Sequence, residues 1–387
     1  MKSSAWVTLS RAFHDSIPAK RRSLINLKPY SPLGSFLARV LGPRFRHATR
    51  SRRQFQFAVL VANALYFSLL CILWIILQLA ADSWWIATLI LFGPRWVFAV
   101  PLLLLAPAAF AANRRLLVLV ALEILLVMFG IMDFRVPWRT VVSSQPTGPH
   151  IRLITCNIHR RLLLAAQFSQ LLDKTNPDIV ALQEWTSQDQ AALFSKGQWY
   201  LRRDGELFLA SRTPIKSGQD LINGQWGPAG AAVYYQIDFN GGELNLINMH
   251  LASPHVEFAD AINGAPQGPD EVANNSAARS DQSTLIANFA RSLHAPTILL
   301  GDFNTPADSP IFQNSWMDYS DAFGIAGWGI GHTYFTRFSS VRIDHILAPA
   351  AWQVTSCWVG PDEGSPHHPV IADLEWVDPA GWKAATK

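Results

Sequence analysis

Hard oxygen donors and imidazoles recur at the ends of apolar runs in the second half of the chain. Asn157 closes LITCN, Glu184 follows DIVALQ, and His250 closes LNLINM. Asp302 and Asn304 follow TILLG, Asp344 lies within RIDHIL, and His367-His368 precede PVIADL. Carboxylates and amides suit Mg²⁺, which keeps several waters and takes few protein ligands beside a substrate phosphate. Imidazoles next to them supply proton transfer and charge stabilisation. Each residue alone has an ordinary explanation, since a carboxylate after a strand often caps a turn and a single His is more often structural. Gathered at one rim, they point to metal-assisted hydrolysis of a phosphate ester. No Cys/His spacing suggests zinc, and three cysteines (Cys71, Cys156, Cys357) make no disulfide framework.

Strands and helices must alternate to place these groups together. Residues 151–158 read as a strand, and Leu164, Phe168, Leu171 and Leu172 repeat at helical spacing before Pro177-Asp178 opens another strand. Residues 231–239 and 243–251 flank Asn240-Gly241-Gly242, a hairpin signal. Residues 277–293 read as a helix, and TILL, RIDHILA and PVIADLEW complete the set. The expected fold is α/β, with hairpins implying mixed sheets over residues 151–376, followed by a tail at 377–387.

The first 150 residues are chemically different. They hold 17 Lys+Arg against four acids, a formal +13, whereas the remainder carries −9. That asymmetry excludes one uniform nucleic-acid-binding domain as the source of the basic balance. Residues 1–54 read as a basic, poorly ordered arm. Residues 55–81 contain no charge and would span roughly 40 Å as a helix, enough for a ~30 Å hydrocarbon core. A second apolar stretch, 84–112, is interrupted by Gly93-Pro94-Arg95, and a third, 116–132, contains Glu123. About three membrane helices over 55–132 are expected, with Arg95 at an interface and residues 133–150 as a linker. Lys and Arg near span ends stay cytoplasmic. Three crossings then leave the N-terminus inside and residues beyond 132 outside, on the periplasmic side of an inner membrane in a Gram-negative cell, whereas two crossings would keep the C-terminal domain in the cytoplasm.

With these pieces assembled, the second half resembles the endonuclease/exonuclease/phosphatase (DNase-like) superfamily. The matching segments are LITCNI, DIVALQEW, LASRTPI, LNLINMHL, ARSDQSTL, LLGDFNTP, RIDHIL and SPHHPVIADL, in that order across 151–376. The resemblance implies a four-layer α/β sandwich, two mixed β-sheets flanked by helices, here preceded by a transmembrane helical region. It also implies Mg²⁺ or Mn²⁺ as cofactor. Glu184 and Asn157 would be metal ligands, with Asp302 at the metal and as the group that deprotonates water. His250, Asn304, Asp344 and His367 would complete the catalytic set, Asn304 on a phosphoryl oxygen and Asp344 orienting His367. Gln183 would support Glu184, and Arg279, one helical turn from Gln282, would approach substrate.

One position departs from the pattern. The family places Asp before the catalytic His, where this chain has Pro366, which offers neither a carboxylate nor an N–H. Asp362 or Glu363 would have to substitute. The segment 252–276 is long, polar and Gly/Pro-rich, and reads as a recognition loop lacking the basic cluster that duplex binding needs. The implied substrate is therefore a phosphate ester at a membrane, such as a lipid or glycolipid headgroup. An extracytoplasmic endo- or exonuclease is the alternative, and a catalytically silent binding module is a third reading motivated by Pro366.

Overall fold

The computed structural model describes residues 27–138, 148–160, 165–186, 193–222, 230–293, 295–337, 339–377 and 382. The arm before residue 27, most of the linker after 138 and nearly all of the tail lie outside the described residues. The chain divides into two units, one of residues 1–68 with 100–124 and one of 69–99 with 125–387.

In the first unit the basic arm is helical from residue 32 onward. Ser31 caps Pro32–Leu41 by accepting from the Gly34 N–H at 3.0 Å, and Pro32 is preset for the first turn. Leu37, Leu41 and Phe45 bury against Val59, Ala109, Ala112, Leu116 and Val120. Gln56 Nε2 donates to the Ala112 carbonyl at 2.8 Å, and Asn113 Nδ2 to the Leu41 carbonyl at 2.7 Å. Two helices among the described residues are long and apolar enough to cross a membrane, Arg50–Ala80 and Arg95–Ala112. Gly93-Pro94 separates the latter from a short helix, Trp85–Phe92. The third apolar stretch forms Leu117–Leu125 and a π turn, Leu126–Ile131. Glu123 is fully buried there, and neither of its carboxylate oxygens has a hydrogen-bond partner.

The second unit holds fourteen strands among the described residues: β1 (His150–Asn157), β2 (Ile179–Gln183), β3 (Tyr200–Asp204), β4 (Leu207–Ser211), β5 (Ile215–Asp220), β6 (Ala231–Phe239), β7 (Gly242–His250), β8 (Thr297–Asp302), β9 (Tyr319–Asp321), β10 (Tyr334–Phe335), β11 (Ser340–Val341), β12 (Asp344–Pro349), β13 (Trp352–Val359) and β14 (Val370–Trp376). One six-stranded sheet runs β13-β14-β1-β2-β4-β3, and the other runs β5-β6-β7-β8-β12-β9. Both are mixed, because β1–β2 and β7–β8 are parallel and their other neighbours antiparallel. Leu153, Ile179, Leu209, Leu246, Ile298 and Leu300 fill the space between the sheets. Helices Ala165–Thr175 and Gly268–Ser292 lie on the outer faces, packed through Phe168 and Leu172 and through Ile286 and Ala287. The result is the expected α/β sandwich.

Central strands such as IVALQ and TILLGD are buried on both faces, whereas edge strand β3 alternates and carries Arg202 and Asp204 on its rim. The hairpin at residues 240–241 forms between β6 and β7, with Asn240 and Gly241 both at positive φ. One expectation fails. Residues 252–276 are not an irregular loop, because they form helix His255–Ile262 and the opening turns of Gly268–Ser292. Pro269, Asp270 and Glu271 read as loop composition, yet they are well suited to a helix N-terminus.

Candidate active site

Strand register, rather than proximity in sequence, assembles the site. His250 ending β7 is the register partner of Asp302 ending β8, and Asp344 opening β12 is the partner on the other side. In the opposing sheet Asn157 ends β1 beside Gln183 of β2, so Glu184 follows directly, and His367 leads into β14. The two rims meet through Asn157, whose Nδ2 donates to Asp302 Oδ2 at 2.9 Å and to Glu184 Oε1 at 3.1 Å. His250 Nε2 stands 3.8 Å from both Glu184 Oε1 and Asp302 Oδ2, and His367 Nε2 is 3.9 Å from Asp302 Oδ2. Asp302, Asp344 and His367 each bring one ligand atom within 4.8 Å of the others.

Local backbone fixes these positions. Glu184 holds φ 54° and Asn304 φ 45°. The left-handed region costs a non-glycine residue about 1–3 kcal/mol and persists only where surroundings enforce it. For Asn304 they do: its N–H donates to Asp302 Oδ1 at 2.9 Å, its Nδ2 to the Leu251 carbonyl at 2.8 Å, and its own carbonyl accepts from Arg279 at 2.6 Å. Gly301 has φ 136°, and a Cβ there would lie 1.9 Å from the Met249 carbonyl oxygen, so only glycine lets β8 lie this close to β7 before Asp302.

Electrostatics separates the groups. Burial would lower the His250 imidazole, but the Glu206 hydrogen bond and the Asp302, Glu206 and Glu184 charges raise it to about 9. Burial and the neighbouring Asp344 charge push the Asp302 carboxyl above its ordinary range, against the lowering effects of His367, His250 and Asn157. His367 is likewise raised: burial opposes protonation, and Asp344 and Asp302 override it. Its Nδ1 is 2.9 Å from Asp344 Oδ2, which orients the ring. The Tyr334 ring packs 4.6 Å from the same imidazole.

Glu206 escaped sequence reasoning. It lies in the tight turn between β3 and β4, where a Gly-Glu pair reads as exposed turn chemistry, yet its Oε1 is 2.8 Å from His250 Nδ1. The partnership holds Glu206 below the ordinary carboxylate range. Arg160 was also missed, with Nε 3.5 Å from Glu184 Oε2 and a left-handed backbone of its own. The Gln183 Nε2 donates to Asn248 Oδ1 at 2.7 Å and Thr155 Oγ1 at 3.0 Å instead of to Glu184, joining the sheets beneath the site. Arg279 is wholly buried, donating to the Asn304 carbonyl and to Ser276 Oγ, so its guanidinium supports the loop instead of meeting solvent. Gln282 Oε1 accepts from the Ala252 N–H at 2.9 Å. Pro366 is flanked by Ser365, which donates to the Asn157 carbonyl at 2.6 Å and accepts from the His367 N–H at 3.1 Å. Asp362 is exposed and accepts from Gly364, whereas Glu363 is buried, and desolvation followed by the Asp362 charge pushes it up to about 7.

Three groups from the segments that border the apolar helices hold the loop and strand that carry this chemistry. Asp82 Oδ2 accepts from Ser309 Oγ at 2.6 Å and from the Ile311 N–H at 3.0 Å, adding to the Ser309 cap of helix Pro310–Trp316. Arg95 Nη1 meets Asp308 Oδ2 at 2.5 Å, four residues beyond Asn304. Asp133 Oδ2 accepts from Arg342 Nη2 at 2.6 Å, two residues before Asp344.

A metal fits these residues. His250 Nε2 is buried without a hydrogen-bond partner and faces the Glu184 and Asp302 oxygens, and the donor set is dominated by hard oxygen, as Mg²⁺ or Mn²⁺ requires.

Residues 154–367 match the profile of the endonuclease/exonuclease/phosphatase family, and the chain belongs to that family. Its solved structural neighbours include truncated TDP2 of Caenorhabditis elegans, at 17% identity, covering 58% of this chain and 98% of that one with a TM-score of 0.43. TDP2 of D. rerio, solved with a single-strand DNA product, gives 16% identity, 58% and 99% coverage and a TM-score of 0.43. A family member from Bacteroides thetaiotaomicron gives 16% identity, 60% and 97% coverage and a TM-score of 0.45. No curated protein sequence matches the chain.

Proposed function

We propose that this chain is a membrane-anchored, divalent-metal-dependent phosphoric ester hydrolase of the phosphodiesterase or phosphatase class, with its site on the extracytoplasmic side. The observation that carries the reading is the meeting of Asn157, Glu184, His250, Asp302, Asp344 and His367 from two sheets around an unpartnered imidazole nitrogen. Glu184, Asn157 and Asp302 would hold Mg²⁺ or Mn²⁺, which when bound neutralises charge on the phosphoryl oxygens. Asp302, its proton affinity raised by burial and Asp344, takes the proton from the attacking water. Asn304 holds a phosphoryl oxygen. His250, kept protonated by Glu206, gives its proton to the leaving oxygen, and His367, fixed by Asp344, faces the charge that builds in the transition state.

Two features support the anchor and its orientation. The ends of the long apolar helices at residues 50–56 and 112–116 share a unit with the basic segment 44–53 and with Arg114 and Arg115. Residues 82–95 and 131–135 instead rest on the catalytic domain. Basic flanks are retained in the cytoplasm, which puts the catalytic domain outside under three crossings. A reporter fused after residue 387 that is active only in the cytoplasm would overturn that orientation.

The full chain in lipid nanodiscs with Mg²⁺ or Mn²⁺ should hydrolyse bis(p-nitrophenyl) phosphate and release phospholipid headgroups without nicking plasmid. Glu184→Ala should lower turnover at least about 100-fold while leaving the unfolding temperature nearly unchanged. Full activity in that variant would remove the metal assignment. Plasmid nicking without headgroup release would move the reading to a nuclease, and activity appearing only in Pro366→Asp would make the native chain a silent binding module.

A further inference from the structure

Among the described residues 151–376, six large apolar side chains are exposed: Leu201, Val256, Ile262, Met317, Trp328 and Phe335. Five of them, all but Leu201, lie on elements that touch the juxtamembrane segments. Val256 and Ile262 belong to helix His255–Ile262, whose Phe258 packs edge-on against Phe92 at 4.9 Å. With Ala259 they make an outward stripe at helical spacing. Met317 follows the helix that Asp82 caps, beside a cavity of about 550 Å³ lined in part by Arg135 and Trp138. Trp328 packs edge-on against Phe134 at 5.9 Å, and the adjacent Gly329 exchanges backbone hydrogen bonds with Arg135. Phe335 sits on the β10–β11 hairpin, whose Ser339 donates to the Phe92 carbonyl at 2.7 Å. The segments they touch are joined, because Arg95 Nη1 also donates to the Ile131 carbonyl at 2.8 Å.

The same surface borders the site. The Phe335 ring lies 4.3 Å from that of His368, and its N–H donates to the Pro366 carbonyl at 2.9 Å. The Arg279 guanidinium that donates to the Asn304 carbonyl stands 5.3 Å from the Phe92 ring centroid, so that ring is within about 9 Å of the Asn304 carbonyl oxygen. Scattered apolar side chains on a soluble domain need no explanation, but five of six beside the ends of apolar helices do. Trp84, Ile86 and Trp96 are exposed on the neighbouring segments, and two of them are the aromatics that favour a membrane interface. Residues 151–387 carry a formal −9, so attraction to anionic headgroups does not account for it.

We propose that Val256, Ile262, Met317, Trp328 and Phe335 form a surface that rests in the bilayer interface around the mouth of the site, so that the substrate is a phosphoester carried by a lipid of the membrane in which the chain is anchored. The inference rests on the anchored-hydrolase reading above and adds the docking face and the source of the substrate.

The test uses the full chain in nanodiscs, in a Cys71→Ser background, with nitroxide labels at Ile262→Cys, Trp328→Cys and Leu201→Cys. Labels at 262 and 328 should be accessible to oxygen and shielded from a water-soluble nickel relaxant, whereas the label at 201 should show the reverse. Val256→Glu with Ile262→Glu should lower phospholipid headgroup release about tenfold while hydrolysis of bis(p-nitrophenyl) phosphate stays within about twofold. Equal exposure of all three labels to the nickel relaxant would overturn the surface, as would headgroup release unchanged by the paired substitution. A wild-type chain that cleaves the soluble diester but no nanodisc lipid would overturn the substrate. Failure to cleave either compound would refute the hydrolase reading instead, and the label depths would still decide whether the face meets lipid.

Discussion

Arg95→Met is the most informative single perturbation of the link between the apolar helical region and the site. Arg95 and Asp308 form a bidentate pair, Nη1 to Oδ2 at 2.5 Å and Nη2 to Oδ1 at 3.3 Å, with side chains only 11% and 8% exposed. Methionine preserves most of the stem volume but leaves the Asp308 carboxylate buried without its counter-ion. Breaking a buried pair from one side costs about 3–5 kcal/mol, because the remaining charge keeps its desolvation penalty. For a domain of this size each kcal/mol moves the unfolding temperature by about 2–4 °C, so a fall of roughly 6–20 °C is expected. Adding Asp308→Asn removes the stranded charge, and the double variant should regain more than half of the loss. Asn304 lies four residues upstream of Asp308, and displacing a positioned group by about 1 Å can lower turnover 100-fold. Turnover of Arg95→Met should therefore fall at temperatures where the chain stays folded, with a smaller change in KM, and Arg95→Lys should restore part of it. The assay is thermal unfolding of the nanodisc-embedded full chain together with diester hydrolysis. An unfolding temperature within about 2 °C of wild type, or a double variant whose losses simply add, would refute the pair as a support of the loop.

Asp321 gives a pH test outside the site. Burial alone would raise its carboxyl, but the Arg342 charge and the His345 contact hold it well below the usual range. Its stabilising contribution is complete above the ordinary carboxylate pKa near 4 and is lost as pH falls toward the depressed folded value, since the unfolded chain binds the proton first. Between pH 4 and pH 2.5, Asp321→Asn should lose stability less steeply than wild type, by up to about 1.4 kcal/mol per pH unit, in acid titrations followed by circular dichroism. Equal slopes would contradict the pairing. Pro366→Asp should place a carboxylate next to His367 and lower the Mg²⁺ concentration for half-maximal activity about tenfold, the effect of ~1.4 kcal/mol of added binding. Calorimetric Mg²⁺ titration that shows no tightening would mean that the family's usual carboxylate has no counterpart geometry at this position.

The site was legible in the sequence to the extent that its residues end strands. Asn157, His250 and Asp302 close runs of near-continuous apolar residues, and such runs mark central strands whose ends face the same rim. Glu206 was not legible for the opposite reason: its strands are a short edge pair, β3 alternating and charged, and the turn between them carries no catalytic signature. The helix at 255–262 was misjudged because Pro254, Gly264 and Pro266 bracket it, and short helices stabilised by tertiary contacts such as Phe258 against Phe92 leave a weak local signal. Arg279 and Gln282 share a helical face as their spacing implies, but periodicity does not distinguish a face turned to substrate from one turned into the fold.

Asp82, Arg95 and Asp133 show what composition conceals. In sequence each of the three is a charge beside an apolar run, and Arg95 alone reads as an interfacial one. Their partners Ser309, Asp308 and Arg342 lie 227, 213 and 209 residues away, beyond the reach of any local pattern. An interfacial charge needs only water, and none of these three relies on it, since each is bonded to the loop after β8 or to the approach to β12. These are the two segments that carry Asn304 and Asp344. A domain cut free at residue 139 would strand Asp308, remove the Asp82 carboxylate from the N-terminus of helix Pro310–Trp316 and remove one of the two carboxylates on Arg342. The segments around Asp82, Arg95 and Asp133 are therefore part of the support of the site, and a fragment without them is expected to understate the activity of the whole chain.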